Sequence, residues 1–234
     1  MKEEIILPGT AACAGKFKQT FRMVAEADLV DLLARGNVLA VRKGGLVYAE
    51  ESRTRECYLL YSGVVKIFHT GSGGKEQIIR VGKEGDIFGF RSIIRGEPAC
   101  TSVQALTDCV LCLIPDRVLL GAIARVPSFA HEMVQIACKE LGDANRYIRD
   151  VAQKSVRARL ADILLRISVD FGLAADGSLS LCLTREDLGN FVGTATETLI
   201  RLLSEFKAEG LIEARGRRIR LLDAARLRVI AGRG

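Results

Sequence analysis

One stretch, from Leu183 to Ile212, constrains the fold of this chain more than any other. Thr184 followed three residues later by Asp187 is typical of a capped helix start. Apolar residues then recur at helical spacing on both sides of Gly193, and glycine permits a tight turn there. These apolar residues are Leu188, Phe191, Val192, Leu199, Leu202, Leu203 and Phe206. The spacing predicts two short helices joined at Gly193, which is the arrangement of a helix-turn-helix.

The residues around this stretch predict a larger module. Ser155 precedes an amphipathic run and predicts a capped helix before the helix-turn-helix. Residues 178–183 alternate between polar and apolar, which predicts a strand. Residues 211–222 predict a hairpin that turns at Gly216. Helices with such a hairpin beside them make a winged helix.

The charge distribution favours a polyanionic partner. The net charge is +6 and the isoelectric point is near 9.0. Seven arginines lie between positions 215 and 233, and within that interval only Asp223 opposes them. They are Arg215, Arg217, Arg218, Arg220, Arg226, Arg228 and Arg233. Most charge runs are solvated surface, but we expect one directly behind a helix-turn-helix to contact phosphates.

The first half of the chain has a different sequence pattern. Residues 1–37 predict polar helical structure, and residues 39–115 are short alternating segments broken by glycines. Residues 71–74 predict a hairpin tip. Strands at intervals of about ten residues are typical of a barrel or a sandwich.

A long helix is predicted to follow, from residue 128 to about 151. Apolar residues recur there at alternating spacings of three and four, which is typical of a two-stranded coil. They are Val134, Ala137, Leu141, Ala144, Ile148 and Val151. The charged residues between them favour dimerisation through this seam, and packing of the helix on its own barrel is the alternative. Residues 152–155 are a candidate hinge.

The order of these segments resembles the Crp/Fnr family of bacterial transcription regulators over essentially the whole chain. Gly63, Gly85 and Gly89 fall where the β-roll of that family places its turn glycines. The resemblance implies an α+β fold with an N-terminal double-stranded β-helix (β-roll) effector domain over residues 1–127. It implies a dimerisation helix and hinge over residues 128–154, and a winged helix-turn-helix DNA-binding domain over residues 155–234. A homodimer on a palindromic operator, with RNA polymerase as a further partner, is the function that it implies.

Arg201 and Glu197 are the expected base-reading residues, since arginine donates to guanine and glutamate accepts from cytosine. The two are four residues apart, so we expect an ion pair between them. Thr196 stands where cyclic AMP-responsive members carry an arginine, which favours a TTG…CAA-like operator, and Ile200 suits a thymine methyl. If Thr194 caps the second helix, Glu197 is instead used in a capping box. The expected DNA contacts are Thr184, Thr194, Thr196, Glu197, Thr198, Ile200, Arg201, Lys207, Arg217 and Arg218.

Cyclic AMP is not the expected effector. Cyclic-nucleotide binders with this fold bind the ribose through a glutamate, and Phe90 stands at that position here. They bind the phosphate through an arginine and a serine, and Ala99 and Cys100 stand at those positions. The adenine-facing positions of the long helix hold Ala144 and Asn145. Loss of charge-assisted bonds costs several kcal/mol. An unidentified small-molecule effector is expected near Phe88, Gly89, Phe90, Arg91, Ser92, Cys100, Thr101 and Asn145.

The cofactor stays unassigned, and no metal site is predicted. Seven cysteines at irregular spacing argue against a disulfide scaffold. Cys109 and Cys112, three apart in a strand, face opposite sides and are poorly placed to chelate one metal. The resemblance puts Cys112 on an iron–sulfur ligand, but Cys13 stands alone where three further thiolates are required. Haem ligation by His69 or His131, a nitrosative signal, and oxidation of Cys57 or Cys100 are weaker alternatives.

The remaining expectations concern location and class. The apolar runs fall short of the roughly 20 residues that a membrane span needs, so we expect a cytoplasmic protein with no membrane partner. The motifs of nucleophilic, phosphate-loop or metal catalysis are missing from the sequence, which predicts no enzyme activity. The alternative from another class is a ligand- or redox-binding sensor module whose DNA contact is secondary or lost.

Overall fold

The computed structural model describes residues 7–232. These residues form two units. The first contains the described residues up to Gly73 together with Ile79–Asp143, and the second contains Gly74–Ile78 and the described residues from Ala144 onward. None of the described helices is long and apolar enough to cross a membrane.

Two short helices begin the first unit, α1 (Thr10–Phe17) and α2 (Glu26–Ala34). They confirm the predicted helical structure in part, because residues 1–6 lie outside the described residues. The helices were predicted to be polar, but each has a buried apolar side: Cys13 and Phe17 of α1 and Leu29 of α2 are fully buried. Both helices therefore contribute to the core of this unit.

The strands that follow make the predicted β-roll. They are β1 (Asn37–Val41), β2 (Leu46–Tyr48), β3 (Glu56–Ser62), β4 (Val65–Thr70), β5 (Glu76–Gly82), β6 (Ile87–Phe88), β7 (Ser102–Ala105) and β8 (Cys109–Pro115). One sheet has the order β1-β8-β3-β6 and the other the order β2-β7-β4-β5. Gly63 (φ 98°) and Gly89 (φ 82°) have left-handed backbone, which favours glycine and explains the punctuation of the sequence.

The roll has two apolar clusters, because side chains alternate across a strand. The interior cluster contains Tyr58, Cys109 and Leu111, and the outer cluster contains Cys57, Leu59 and Cys112 with residues of α1 and α2. Cys109 and Cys112 therefore lie on opposite faces of β8, as their spacing predicted. Both thiols are buried.

Helix α3 (Phe90–Arg95) interrupts the roll, and α4 (Asp116–Arg125) and α5 (Pro127–Gln153) follow it. The start of α5 packs on its own roll through Phe129 and Met133, which belong to the outer cluster. Buried Glu132 accepts a hydrogen bond from the backbone N–H of Met23 at 2.8 Å. The face of α5 that carries Phe129 and Met133 therefore packs on the roll, which was the alternative to a dimer seam.

The second unit is a helical module with a hairpin. It contains α6 (Val156–Phe171), α7 (Arg185–Val192), α8 (Thr196–Ala208), β9 (Ile212–Arg215), β10 (Arg218–Leu221) and α9 (Ala224–Ile230). Ser155 caps α6 as predicted, because its side chain accepts a hydrogen bond from the Ala158 N–H. The hairpin turns at Gly216, also as predicted.

The strand predicted over residues 178–183 is wrong. Only isolated bridges occur there, from Leu179 to Leu173 and from Ser178 to Arg220. The alternation does describe burial, since Leu179 and Leu181 are buried while the residues between and after them are exposed. This segment packs its leucines on the core but forms no continuous set of hydrogen bonds with a neighbouring strand. Alternation of polar and apolar residues alone was therefore not sufficient for a β-strand.

Candidate nucleic-acid interface

Helix α7 and the turn after it are fixed by a cap at each end. The Thr184 side chain accepts a hydrogen bond from the Asp187 N–H at 2.9 Å and contacts the Asp187 carboxylate at 2.7 Å. Gly193 ends the helix in the left-handed conformation, with φ 75° and ψ 50°. A side chain at this position would be strained, so the glycine determines how α7 leads into α8.

Helix α8 has one buried and one exposed face. Leu199, Leu202, Leu203 and Phe206 are buried, as their spacing predicted. Glu197, Ile200, Arg201 and Ser204 are exposed, and their spacing places them together along the other side. Ile200 is 49% exposed although it is a large apolar residue. An exposed face of this kind, on a helix held by its opposite side, is available for contact with another molecule.

The first turn of α8 has no side-chain cap. Its N-cap is Ala195, which has no side-chain acceptor. Thr194 therefore does not cap the helix, and Glu197 is not used in a capping box. Uncapped N–H groups and the positive end of the helix dipole both favour an anion at this end.

The expected ion pair between Arg201 and Glu197 does not form. The Arg201 guanidinium instead lies 3.4 Å from the Glu205 carboxylate, one turn further along α8. Glu205 also lies 3.5 Å from Arg157, which stacks over the Phe206 ring and pairs with Glu209 at 2.7 Å. The Arg201 side chain is 70% exposed, so this single contact leaves it accessible.

The hairpin of β9 and β10, which we call the wing, is held to α7 by Arg185, a residue that the sequence analysis did not single out. Arg185 Nη2 donates to the carbonyl oxygen of Gly216, at the turn between β9 and β10, at 2.6 Å. Burial lowers the pKa of Arg185, and its Nη1 has no hydrogen-bond partner among residues 7–232. The sequence offers one indication of a role for Arg185, its position directly after the Thr184 cap. The contact with Gly216 could not be predicted, because no sequence pattern connects the two residues.

The arginine cluster is more neutralised than its sequence suggested. Asp223 is not its only acidic neighbour, since Arg218 pairs with Asp176, Arg215 with Glu213 and Arg226 with Glu209. The Ser178 hydroxyl and backbone N–H, together with Arg218, lower the pKa of Asp176 to about 2, so this carboxylate stays charged. Exposed Arg217 lies at the wing turn. Arg233 lies outside the described residues.

The other predicted DNA contacts fall on the same module. Thr194, Thr196 and Thr198 are half-buried around the first turn of α8. Lys207 is exposed in its last turn. The hydroxyl of Thr184 is engaged in its cap, so it is less available than expected.

The predicted effector residues are divided between the two units and, within the first unit, between its two apolar clusters. Phe88 belongs to the interior cluster of the roll, Phe90 belongs to the outer cluster, and Asn145 is exposed on α5 in the second unit. Gly89 makes the turn between the two phenylalanines, Ser92 is buried, and exposed Arg91 lies 3.7 Å from Glu97. Cys100 is half-buried beside buried Thr101, which hydrogen bonds to Tyr48. Phe88 and Thr101 therefore share Tyr48 as a neighbour, since the rings of Tyr48 and Phe88 are 6.3 Å apart, whereas Phe90 belongs to the other cluster.

Aromatic rings fill the interior of the roll near β6. Tyr58 stacks on Phe88 with 5.7 Å between ring centroids, and Tyr48 lies 5.3 Å from Tyr58. Burial raises the pKa of Tyr58 to about 12. These side chains make the interior predominantly apolar.

Metal-ligating groups are dispersed in the described residues. Between residues 7 and 232, no three histidine, cysteine or acidic side chains come together to hold a metal ion. The His69 ring is exposed and lies 2.7 Å from Glu50, and His131 is exposed beside Gln135. Burial raises the pKa of the Cys57 thiol.

A second exposed apolar face runs along α5. Val134, Leu141 and Ile148, each seven residues from the next, are 61%, 63% and 65% exposed. Ala137 and Ala144 are exposed between them, and Val151 at the end is 43% exposed. We call these six residues the α5 stripe. It is distinct from the face of α5 that packs on the roll.

Comparisons with known proteins agree with both units. The cyclic nucleotide-binding domain family model matches residues 38–126, and the Crp-like helix-turn-helix domain family model matches residues 158–230. The transcriptional activator protein FnrA of Stutzerimonas stutzeri is 28% identical over 207 residues, which are 87% of this chain and 83% of that protein. The transcriptional activator protein anr of Pseudomonas aeruginosa is 27% identical over 213 residues, which are 89% of this chain and 86% of that protein.

Solved structures give the same result. FixK2 from Bradyrhizobium japonicum superposes with a TM-score of 0.75 at 26% identity, covering 83% of this chain and 96% of that one. The Crp/Fnr regulator TTHA1359 from Thermus thermophilus superposes with a TM-score of 0.72 at 25% identity, covering 85% and 100%. The family models match both units, and the fold has the β-roll, the long helix and the winged helix-turn-helix of these relatives. The chain is therefore a DNA-binding transcription regulator of the Crp/Fnr family, which is a family of regulators and not of enzymes.

Proposed function

We propose that this regulator binds a palindromic operator as a homodimer, with one α8 helix in the major groove of each half-site. The observation that carries the proposal is the exposed face of α8, where Glu197, Ile200 and Arg201 lie together while the opposite face is buried. A major groove about 12 Å wide admits a helix. The uncapped first turn of α8 would face the phosphates beside it.

Each residue of that face has a role in base reading. Arg201 donates to guanine O6 and N7, and Glu197 accepts from a cytosine amine. Ile200 contacts a thymine methyl, a role that its exposed apolar side chain supports. Thr196 lacks the guanidinium that would read a second guanine, so the operator is TTG…CAA-like.

Positively charged residues around α8 and the wing contact the backbone without reading sequence. Arg217 at the wing turn and Lys207 are exposed and suited to phosphates. Arg218 is also exposed, but it must leave Asp176 to reach a phosphate. The bond from Arg185 to Gly216 fixes the wing turn that carries Arg217. This contact adds a positioning role to the predicted set.

The α5 stripe forms the seam of the dimer. Its heptad spacing matches the a and d positions of a two-stranded coil, and its side chains are exposed in the single chain. Pairing two stripes buries these side chains and relates two α8 helices by a two-fold axis. Protein two-fold symmetry then accounts for a palindromic operator.

The effector is a molecule or signal other than cyclic AMP. Apolar Ala99 and the buried Phe90 replace groups that a cyclic phosphate and its ribose need, and the roll interior is aromatic. A redox, haem or nitrosative signal acting on the first unit would alter α5 and so the placement of the two α8 helices. Relatives named as transcriptional activators favour activation, with RNA polymerase as the further partner.

Selection of bound fragments from a random pool of duplex DNA tests this function. The pool is incubated with the full chain at low salt, and bound DNA is recovered and sequenced. We expect enrichment of one palindrome with TTG-like and CAA-like arms. Recovery of unenriched sequence at every round would contradict the proposal and favour a sensor that has lost DNA binding.

Replacing Glu205 by glutamine is expected to raise operator affinity about three- to fivefold. Arg201 must leave Glu205 to reach a base, and an exposed ion pair four residues apart is worth about 0.3–0.5 kcal/mol in each protomer. The substitution also removes a negative charge near DNA phosphates. The measurement is the dissociation constant for the selected operator at fixed salt.

Glu209→Gln is the matched control, because Glu209 at the C-terminal end of α8 pairs with Arg157 of α6 and with Arg226, and has no contact with Arg201. Its effect on affinity should stay within about twofold of the unaltered protein, on the scale of an exposed ion pair. A loss of affinity in Glu205→Gln would show that Glu205 positions Arg201 for binding, contrary to this account.

A further inference from the structure

Two buried thiols face each other in the first unit. Cys13 Sγ and Cys112 Sγ are 2.9 Å apart, and the residues are 1% and 2% exposed. Cys13 lies on α1 and Cys112 on β8, so the contact joins residues that are distant in sequence. Base reading and dimerisation use neither thiol.

The surroundings of the pair are apolar. Both cysteines belong to the outer cluster of the roll, with Phe17, Leu59 and Ile114 among its fully buried members. Cys57 belongs to the same cluster, and the strand register sets it opposite Ile114 while Cys112 is opposite Leu59. The thiol in hydrogen-bonding contact with Cys112 is that of Cys13. Among residues 7–232 the two thiols are not part of a group of three metal-ligating side chains, so they are placed to react with each other.

The geometry points to Cys13 and Cys112 as a redox modification site that forms an intramolecular disulfide joining α1 to β8. A disulfide has an S–S length of about 2.05 Å, so the two sulfurs need to approach by about 0.9 Å. A small shift of the eight-residue helix α1 supplies this movement more readily than a shift of β8, which is paired on both sides. The inference does not rest on the proposed DNA-binding function.

The oxidant is a hydroperoxide, and the chemistry balances with hydrogen peroxide. One thiol loses its proton, and the thiolate sulfur attacks a peroxide oxygen, which breaks the O–O bond and gives a sulfenic acid and water. The sulfur of the second cysteine then attacks the sulfenic sulfur, forming the S–S bond and releasing a second water. Two thiols together lose two electrons and two protons, and one peroxide becomes two waters.

Burial makes this reaction slow at neutral pH. Burial and the neighbouring Cys13 thiol raise the pKa of Cys112, which lowers the thiolate fraction. Both sulfurs are covered, so a peroxide reaches them when α1 opens locally. The rate of disulfide formation should therefore rise with pH and with mild denaturant.

The disulfide would bind α1 to the cluster that also holds the start of α5. Phe21 lies just after α1 and stacks on Phe129 of α5, with 5.2 Å between ring centroids. Phe129 and Met133 belong to the same cluster as the two thiols. Oxidation would therefore fix α1 beside the base of the long helix.

Thiol mapping of the full chain tests the site. Exposed cysteines of the reduced native protein, including Cys138 and Cys182, are first blocked with a maleimide. The protein is then treated with hydrogen peroxide at pH 8, quenched, denatured without reductant and digested with trypsin. We expect a reductant-sensitive cross-link between the peptides of residues 3–16 and 96–117.

Single variants identify the sulfurs. Cys13→Ala and Cys112→Ala should both abolish the cross-link, while Cys57→Ala, a buried cysteine of the same cluster, should retain it. The peptide of residues 96–117 also contains Cys100 and Cys109, so its fragmentation must place the bond at Cys112. That assignment in the unaltered chain decides the case even if a variant folds poorly. A cross-link that uses Cys57, or persistence of Cys13 and Cys112 as free thiols when the protein is otherwise oxidised, would overturn the inference.

Discussion

Arg201→Ala is expected to abolish enrichment of the operator guanine and to lower specific affinity by about 30-fold to 10⁴-fold. A bidentate arginine–guanine contact is worth about 1–3 kcal/mol of discrimination, and a homodimer makes it twice. The side chain is exposed and does not support the core, so folding should be unaffected. The measurement is affinity for the selected operator and for a duplex with the guanine replaced.

Arg217→Ala is the matched control, since it removes another exposed arginine of the same module. It should weaken binding to all sequences alike and reduce the slope of log affinity against log salt by about 2 for the dimer. An equal loss of sequence preference in both variants would contradict the separation of base reading from phosphate contact.

Leu141→Glu is expected to convert the dimer to a monomer and, with it, to remove operator binding. Leu141 is 63% exposed in the single chain, so the change does not disturb the protomer core. Loss of two buried leucines costs about 3 kcal/mol or more, and two facing carboxylates add repulsion, so the dimer dissociation constant should rise at least about 100-fold. Sedimentation equilibrium measures this directly.

Val169→Glu controls for the loss of an exposed apolar side chain. Val169 lies on α6, is not a member of the α5 stripe, and is 80% exposed. This variant should remain dimeric and bind the operator as before. If Leu141→Glu also remained dimeric, the α5 stripe would not be the dimer seam.

The sequence predicted those parts of the fold that depend on local patterns. Apolar spacing around Gly193 located α7 and α8, and the Thr184–Asp187 pair located the cap, because both signals operate within one or two helical turns. Glycines with left-handed backbone located the turns of the roll. The heptad spacing predicted α5, and the structure shows that one side of this helix packs on its roll while the other stays exposed.

Contacts that depend on side-chain choice or tertiary packing could not be predicted. Arg201 has an acidic residue four positions away on each side, and spacing alone does not distinguish Glu197 from Glu205. Glu205 also approaches Arg157 of α6, a contact that only the folded module supplies. The neutralisation of Arg218 by Asp176 has the same origin.

The candidate effector site shows a further limit. Its residues were placed by resemblance along the chain, but the turn at Gly89 directs Phe88 to the interior and Phe90 to the outer cluster. The 2.9 Å contact of Cys13 with Cys112 was equally hidden, since it depends on how α1 packs against β8.

The central claim is that two copies of this chain read two half-sites at a fixed separation. It is tested most directly by comparing affinities for the selected palindrome, for one half-site in random flanks, and for the palindrome with five base pairs inserted at its centre. The insertion turns one half-site by about half a helical turn, since half-sites of a dimer lie about 10–10.5 base pairs apart or at multiples of this distance. We expect tight binding to the palindrome alone, with the other two duplexes near non-specific affinity. Equal affinity for all three would contradict a dimer that places two α8 helices on one operator.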